Sequence, residues 1–262
     1  MVLYNKEDII EYDPKDVLNH LKGNYSRIER IERTKSGALN LGFLIYGEGE
    51  GKKFGKLHNP LKDKAHILLE EKYSEALFNS GIPVPRIIRN NYGELHTDTP
   101  IGNLSLYEFI EGNYYSGSNQ EIKGGAEMQA RIHGVDLDEL AANRPGEDFI
   151  DDLGELFSRV QKIVDSDIVC KDLLSEAKKY LDSWSGFRKV PEKTIIHADY
   201  HPWNLRFIDG QVCRVFDFDF VQPGRQVYDL GISLTYFHRT PDNRFDPQQA
   251  RERTKLYLDS YS

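Results

Sequence analysis

The segment His197-Ala198-Asp199-Tyr200-His201-Pro202-Trp203-Asn204, followed across a short hairpin by Val215-Phe216-Asp217-Phe218-Asp219, constrains this chain more than any other. It separates three side chains able to bind a metal or accept a proton, Asp199, Asn204 and Asp217, by a hydrophobic turn. Asn204 and Asp217 offer hard oxygen donors, the kind that magnesium takes while it keeps waters and phosphate oxygens. Asp219 lies on the same strand face as Asp217 and is either a weaker second ligand or a structural acceptor. Taken singly, each has a plain explanation as a turn or strand-end residue; their joint spacing is what argues for a site.

The rest of the chain is organised in two unlike halves. Asp13-Pro14 is a helix entry and Gly23 its exit. Three strands follow, at 25–34, 41–46 and 53–58, and then a helix over 63–79 terminated by Gly81, Pro83 and Pro85. The pattern next predicts a hairpin pairing 86–89 with 94–96 around Asn90-Asn91-Tyr92-Gly93, and a strand from Leu104 to Ile110 broken by Glu111-Gly112-Asn113. Ser118-Asn119-Gln120-Glu121 reads as a capping box opening a helix to His133. Helical patterns then dominate except for the strand-rich patch 194–220, which carries the motifs, and helices resume near Val227 and after Asp246-Pro247. Strands with one helix, a hinge, then helices around a small β-insert is an α+β, two-lobed arrangement.

Composition excludes some functions. With 34 Lys and Arg against 42 Asp and Glu, the formal charge of −8 argues against a nucleic-acid footprint. No segment approaches the roughly 20 apolar residues that would span a bilayer. Cys170 and Cys213 form neither a disulfide framework nor a metal spacing, and the first residues lack a basic or apolar leader pattern, which fits a reducing cytoplasm. The acids Asp136, Asp138, Glu139, Glu147, Asp148, Asp151, Asp152 and Glu155 read mainly as solvated helix faces, with a field for a cationic small molecule as the sharper alternative.

A carboxylate to take or orient an acceptor proton, with an amide oxygen and a second carboxylate to hold magnesium on nucleotide phosphates, is what phosphoryl transfer requires. Asp199, Asn204 and Asp217 supply that set in the expected chain order. The rival reading takes His197-x-Asp199-x-His201 as ligands of a metal-dependent hydrolase, although the other histidines form no paired spacing. The sequence also resembles the aminoglycoside phosphotransferase and choline kinase family of small-molecule kinases, whose catalytic loop reads roughly H-G-D-x-H-x-x-N with a later D-[FW]-[DE].

The resemblance covers most of the chain and implies a bilobal protein-kinase-like fold. Residues 1–111 would form a nucleotide-binding lobe of β-sheet with one key helix. Residues 112–262 would form a mainly helical lobe for catalysis and acceptor binding; the chain stops at Ser262 inside a helical pattern where relatives often continue, so an incomplete second lobe is one expectation. By the same resemblance Ser36 and Gly37 belong to a phosphate loop. Lys56 contacts phosphates and is held by Glu70, with Glu71 the alternative. The Glu108 carbonyl and Ile110 amide bond an adenine edge, Asn204 and Asp217 hold Mg2+, Asp199 serves the acceptor, and Asp229 binds amides of the catalytic loop. His197 steadies that loop and His201 supports it from behind. The cofactors implied are ATP and Mg2+, and the partner a small-molecule hydroxyl acceptor, with no nucleic acid and no membrane. A protein kinase lacks support, because no Ala-Pro-Glu element follows Asp217; a non-catalytic nucleotide-binding scaffold is disfavoured because every reacting residue is present. The chain departs from the family in two places. Ala198 stands where glycine is usual, tolerable only if the backbone there does not need positive φ, and Trp203 stands where smaller residues are common.

Overall fold

The computed structural model describes residues 13–34, 40–142, 194–242, 244 and 246–262. Ser36, Gly37, Cys170 and the acids from Glu147 to Glu155 lie outside these residues. Helix α1 (Pro14–Asn24) starts where local chemistry dictates: the Asp13 carboxylate accepts from the Lys15 amide and Pro14 fills the first turn. Its Val17 and Leu21 are buried against one face of an antiparallel sheet. That sheet contains β1 (Ile28–Arg33), β2 (Leu41–Gly47), β3 (Glu50–Leu57), β4 (His96–Thr99) and β5 (Gly102–Glu108), in the order β1-β2-β3-β5-β4. Phe43, Ile45, Leu57, Leu104 and Leu106 complete this first core.

Strand alternation sends the next set of side chains to the other face. Lys56 pairs with Ser105 and Phe54 with Tyr107 in the β3–β5 register. Helix α2 (Lys64–Asn79), capped by the Asp63 carboxylate on the Ala65 amide, supplies the partners of Lys56 and Ser105. It also turns Leu69, Tyr73 and Leu77 into a second core, shared with the helices that follow. The expected hairpin between 86–89 and 94–96 does not form. Asn90 does close a turn with Gly93 and Glu94, but Ile87 bridges to Tyr107 of β5, and the true hairpin is β4–β5, closed at Thr99–Gly102. The sheet edge offered by β5 competes successfully for both segments.

The second half begins with α3 (Asn119–His133), where the Ser118 hydroxyl and Glu121 carboxylate form the reciprocal capping box. A short α4 (Asp138–Ala142) follows, and Asp136, Asp138 and Glu139 are exposed. Two small ladders carry the motifs: β6 (Thr194–Ile196) with β9 (Gln222–Gly224), and β7 (Leu205–Ile208) with β8 (Gln211–Val215). Asp209-Gly210 makes the β7–β8 turn with both φ values positive, at 51° and 77°, as a tight hairpin of this twist demands. Helices α5 (Gln226–Phe237) and α6 (Pro247–Tyr261) pack on α3, bringing Phe237 and Tyr257 to ring centroids 4.8 Å apart.

The loop leaving β6 corrects one expectation. Ala198 has φ 59°, in the left-handed region, so the backbone does need the conformation that glycine would adopt without penalty. Its amide donates to the buried Asp229 carboxylate at 2.8 Å, and that bond helps hold the strained residue in place. Replacing it should relieve strain of order 1–2 kcal/mol, partly offset by the greater freedom of glycine in the unfolded chain. Ala198→Gly is therefore expected to raise stability by about 1 kcal/mol, or roughly 2–4 °C in Tm, read by thermal unfolding; an unchanged or lower Tm refutes the strain.

Candidate active site

Three residues of the motif are tied together, two through their side chains and the third through backbone stitching. Pro202–Asn204 forms a single tight helical turn after His201 and delivers Asn204 to the buried side of the loop. Asn204 Nδ2 donates to the Asp199 carbonyl at 3.0 Å and to its carboxylate at 3.1 Å, directing the amide oxygen away from that carboxylate. The Asn204 carbonyl accepts from the Phe216 amide at 3.1 Å, and His197 Nε2 meets the Phe216 carbonyl at 3.3 Å. Phe216 is thus held through both its N–H and its carbonyl immediately before Asp217, which adopts φ 69°. Asp199, Asn204 and Asp217 are therefore joined by one continuous hydrogen-bonded path.

The histidines of the motif support the loop. His197 is fully buried, and burial lowers its pKa, which keeps it neutral; its ring packs 5.2 Å from Phe218 and 5.7 Å from Tyr200. His201 Nε2 lies 3.4 Å from the Asp199 carboxylate, and its ring contacts Trp203 and Tyr236 at 5.5 and 5.0 Å. The two imidazoles thus face different partners, a carbonyl and a carboxylate, and form no metal cluster with Asp199. The Tyr200 hydroxyl donates to the Gly125 carbonyl and its own carbonyl accepts from Ser233, which fixes the loop between them. Asp229, at the start of α5, receives the Ala198 amide on one oxygen and faces His133 Nε2 at 3.0 Å with the other.

Opposite this loop stand the charges of the sheet half. Lys56 forms an ion pair with Glu70 and a second one, at 2.8 Å, with Asp219. Glu71 is committed elsewhere: it accepts from Ser105 at 2.7 Å and faces His96 at 2.8 Å. The choice between the two glutamates thus falls to Glu70. Burial disfavours the Lys56 ammonium, yet Asp219 and Glu70 outweigh it and hold its pKa well above the ordinary range. Burial likewise opposes charge on Asp219, but Lys56 and Lys62 hold its carboxyl well below the usual value. Asp217 behaves the other way: burial pushes its carboxyl up, and the pull of Lys56 does not compensate. A carboxylate short of positive charge, tied through Phe216 to a residue with an amide oxygen, offers with it a donor pair that suits a hard divalent cation.

Sequence reasoning missed Lys62. Its ammonium contacts Glu70 and Asp219, each at 2.6 Å. Asn40 also donates to Asp219, and His66 Nε2 meets the Asp219 carbonyl at 2.8 Å. Asp219 therefore serves as a many-armed acceptor. Lys62 sits in the irregular link between β3 and α2, where no periodicity marks a buried side chain. Glu108 closes β5 opposite Lys53, and the chain leaves the sheet after the Phe109 amide donates to Lys52; Ile110 follows outside the strand.

Comparison with known proteins places this geometry. Residues 30–260 match the model of the phosphotransferase enzyme family. Homoserine kinase of Parvibaculum lavamentivorans is 25% identical over 226 residues, covering 84% of this chain and 68% of that protein. Among solved structures, an amicoumacin kinase in complex with AMP-PNP, Ca2+ and Ami superimposes with a TM-score of 0.71 at 16% identity, over 95% of this chain and 77% of that one. A Plasmodium vivax ethanolamine kinase does so with a TM-score of 0.66 at 17% identity, over 99% and 75% of the two chains. With its fold shared by these kinases and its family matched over nearly the whole length, the chain belongs to the phosphotransferase enzyme family and is a small-molecule phosphotransferase of the protein-kinase-like fold.

Proposed function

We propose that this phosphotransferase moves the γ-phosphoryl group of ATP, bound with Mg2+, to the hydroxyl of a small amino alcohol. The observation that carries the reading is the path Asp199–Asn204–Phe216–Asp217 set against the Lys56–Glu70 pair. In this reading it would supply a proton acceptor, two cation-binding oxygens and a fixed ammonium. The nucleotide in the amicoumacin kinase complex supports ATP. Homoserine and ethanolamine, named for two relatives, each join a hydroxyl to an amine. The rings of His201, Trp203 and Tyr236 beside Asp199 suit an acceptor that carries an ammonium.

In this reading the residues divide the work in an ordinary way. Lys56, held by Glu70, orients phosphate oxygens, and Ser36 and Gly37 cover them. The Glu108 carbonyl and Ile110 amide receive the adenine edge at the boundary between lobes 1–111 and 112–262. Asn204 and Asp217 would hold Mg2+, which neutralises phosphate charge when bound. Asp199 orients the acceptor hydroxyl and takes its proton as the acceptor oxygen bonds to the γ-phosphorus and the bond to the bridging oxygen of ADP breaks.

A panel of amino alcohols and neutral alcohols, followed by ADP release, tests the reading; amine-bearing acceptors are expected to lead, and exclusive turnover of neutral sugars refutes the acceptor class. Asp199→Asn should lower turnover by about 100- to 10,000-fold while ATP still binds, because proton handling alone is lost; near-normal turnover removes Asp199 from that role. In calorimetric titrations, Asp217→Ala is expected to abolish the gain in ATP affinity that Mg2+ provides while sparing weak metal-free binding. Persistence of the full magnesium effect would assign Asp217 to structure alone.

A further inference from the structure

Two ammoniums share two carboxylates in this site, where the Lys56–Glu70 pair of the proposed mechanism calls for only one ammonium. Lys56 reaches Glu70 Oε1 and Asp219 Oδ1, and Lys62 reaches Glu70 Oε2 and the same Asp219 oxygen. The four groups are nearly sealed from solvent, with the Lys62 side chain 11% exposed and Glu70 3%. Beside them lies His58, fully buried. Ser105 donates its hydroxyl hydrogen to Glu71 and so accepts from His58 Nε2–H at 2.9 Å, which leaves a lone pair on His58 Nδ1. That nitrogen has no hydrogen-bond partner and lies 3.9 Å from Glu70 Oε2. Donor atoms of His58, Glu70 and Asp219 all fall within 4.8 Å of one another, a spacing able to hold a metal ion.

We propose that Lys62 is a positioning residue that acts as a built-in counter-cation: its ammonium stands where these three groups would otherwise take up a second divalent cation. The inference rests on the kinase reading above for its consequence, though not for its geometry. With Lys62 present, two ammoniums balance the two carboxylates, so Lys56 is not their sole counter-charge. Lys56 Nζ then stays shared between them and keeps its position for phosphate. Without Lys62 the buried charge is unbalanced. Lys56 is then left to balance both carboxylates that it already contacts, and the vacated position attracts a cation.

The test compares Lys62→Met and Lys62→Arg with the wild type. Lys62→Met should lower kcat by about tenfold or more at saturating ATP, a change visible as lost transition-state interaction, with the acceptor KM unchanged. Lys62→Arg, which keeps the charge, should recover most of the rate. Nucleotide-free Lys62→Met should also bind one equivalent of Zn2+ in calorimetry that neither the wild type nor His58→Asn/Lys62→Met binds. Lys62→Gln, with the same criteria, replaces Lys62→Met if that variant fails to fold. A kcat within twofold of wild type at any loss of Tm, or failure of Lys62→Arg to restore the rate, overturns the positioning role. Absence of the added Zn2+ site overturns the counter-cation assignment. Should no acceptor be phosphorylated by the wild type, the kinase reading fails, while the Zn2+ titration still decides the place of Lys62.

Discussion

Burying four charges together is a costly commitment of this structure, and much else follows from satisfying it. Each ion removed from water carries a penalty of several kcal/mol even after relaxation, recovered only when every charge finds good partners. The four belong to four different segments: Lys56 to β3, Lys62 to the link after it, Glu70 to α2 and Asp219 to the stretch between β8 and β9. Complete pairing is possible only when the sheet, the helix and the motif segment have all reached their native places. Asn40 and His66 finish the arrangement by binding the remaining carboxylate oxygen and the Asp219 carbonyl.

Strain on the facing side is held by similar over-determination. Ala198 and Asp217 both occupy left-handed backbone conformations that non-glycine residues avoid, each costing of order 1–3 kcal/mol. Asp229 fixes the first through its amide, and the clasp on Phe216 fixes the second from the preceding residue. Two strained residues a strand-hairpin apart, one next to Asp199 and the other Asp217 itself, fit a loop shaped for position more than for ease of folding.

What the sequence disclosed follows the range of the forces involved. Caps are decided within four residues: those at Asp13 and Ser118 form where the local pattern predicts, and Asp63 and Asp246 cap their helices by the same short-range chemistry. The protein-kinase-like fold came into focus through family resemblance, since strand and helix order alone stops at a two-lobed α+β description. Long-range competition was illegible. Ile87 prefers the β5 edge to its neighbours across the Asn90 turn, and no local signal reports that. Glu70 and Glu71 are adjacent and both buried, so helical period could not separate them; the partners Lys56 and Ser105 on the sheet do. The φ of Ala198 and the burial of Lys62 are likewise set by contacts with segments far along the chain.

Phe218 connects these parts mechanically. Its ring meets Tyr73 of α2 edge-on at 5.3 Å and His197 at 5.2 Å, while its neighbours on either side are Asp217 and Asp219. Because interiors packed at this density transmit displacement instead of absorbing it, Phe218 works as a bearing between the helix and the catalytic loop. A shift of α2 along its axis cannot be confined to the Lys56–Glu70 pair; it must also turn the carboxylates on both sides of that ring. Registration of the Lys56 ammonium and orientation of the Asp217 carboxylate are thus geared to a single moving part.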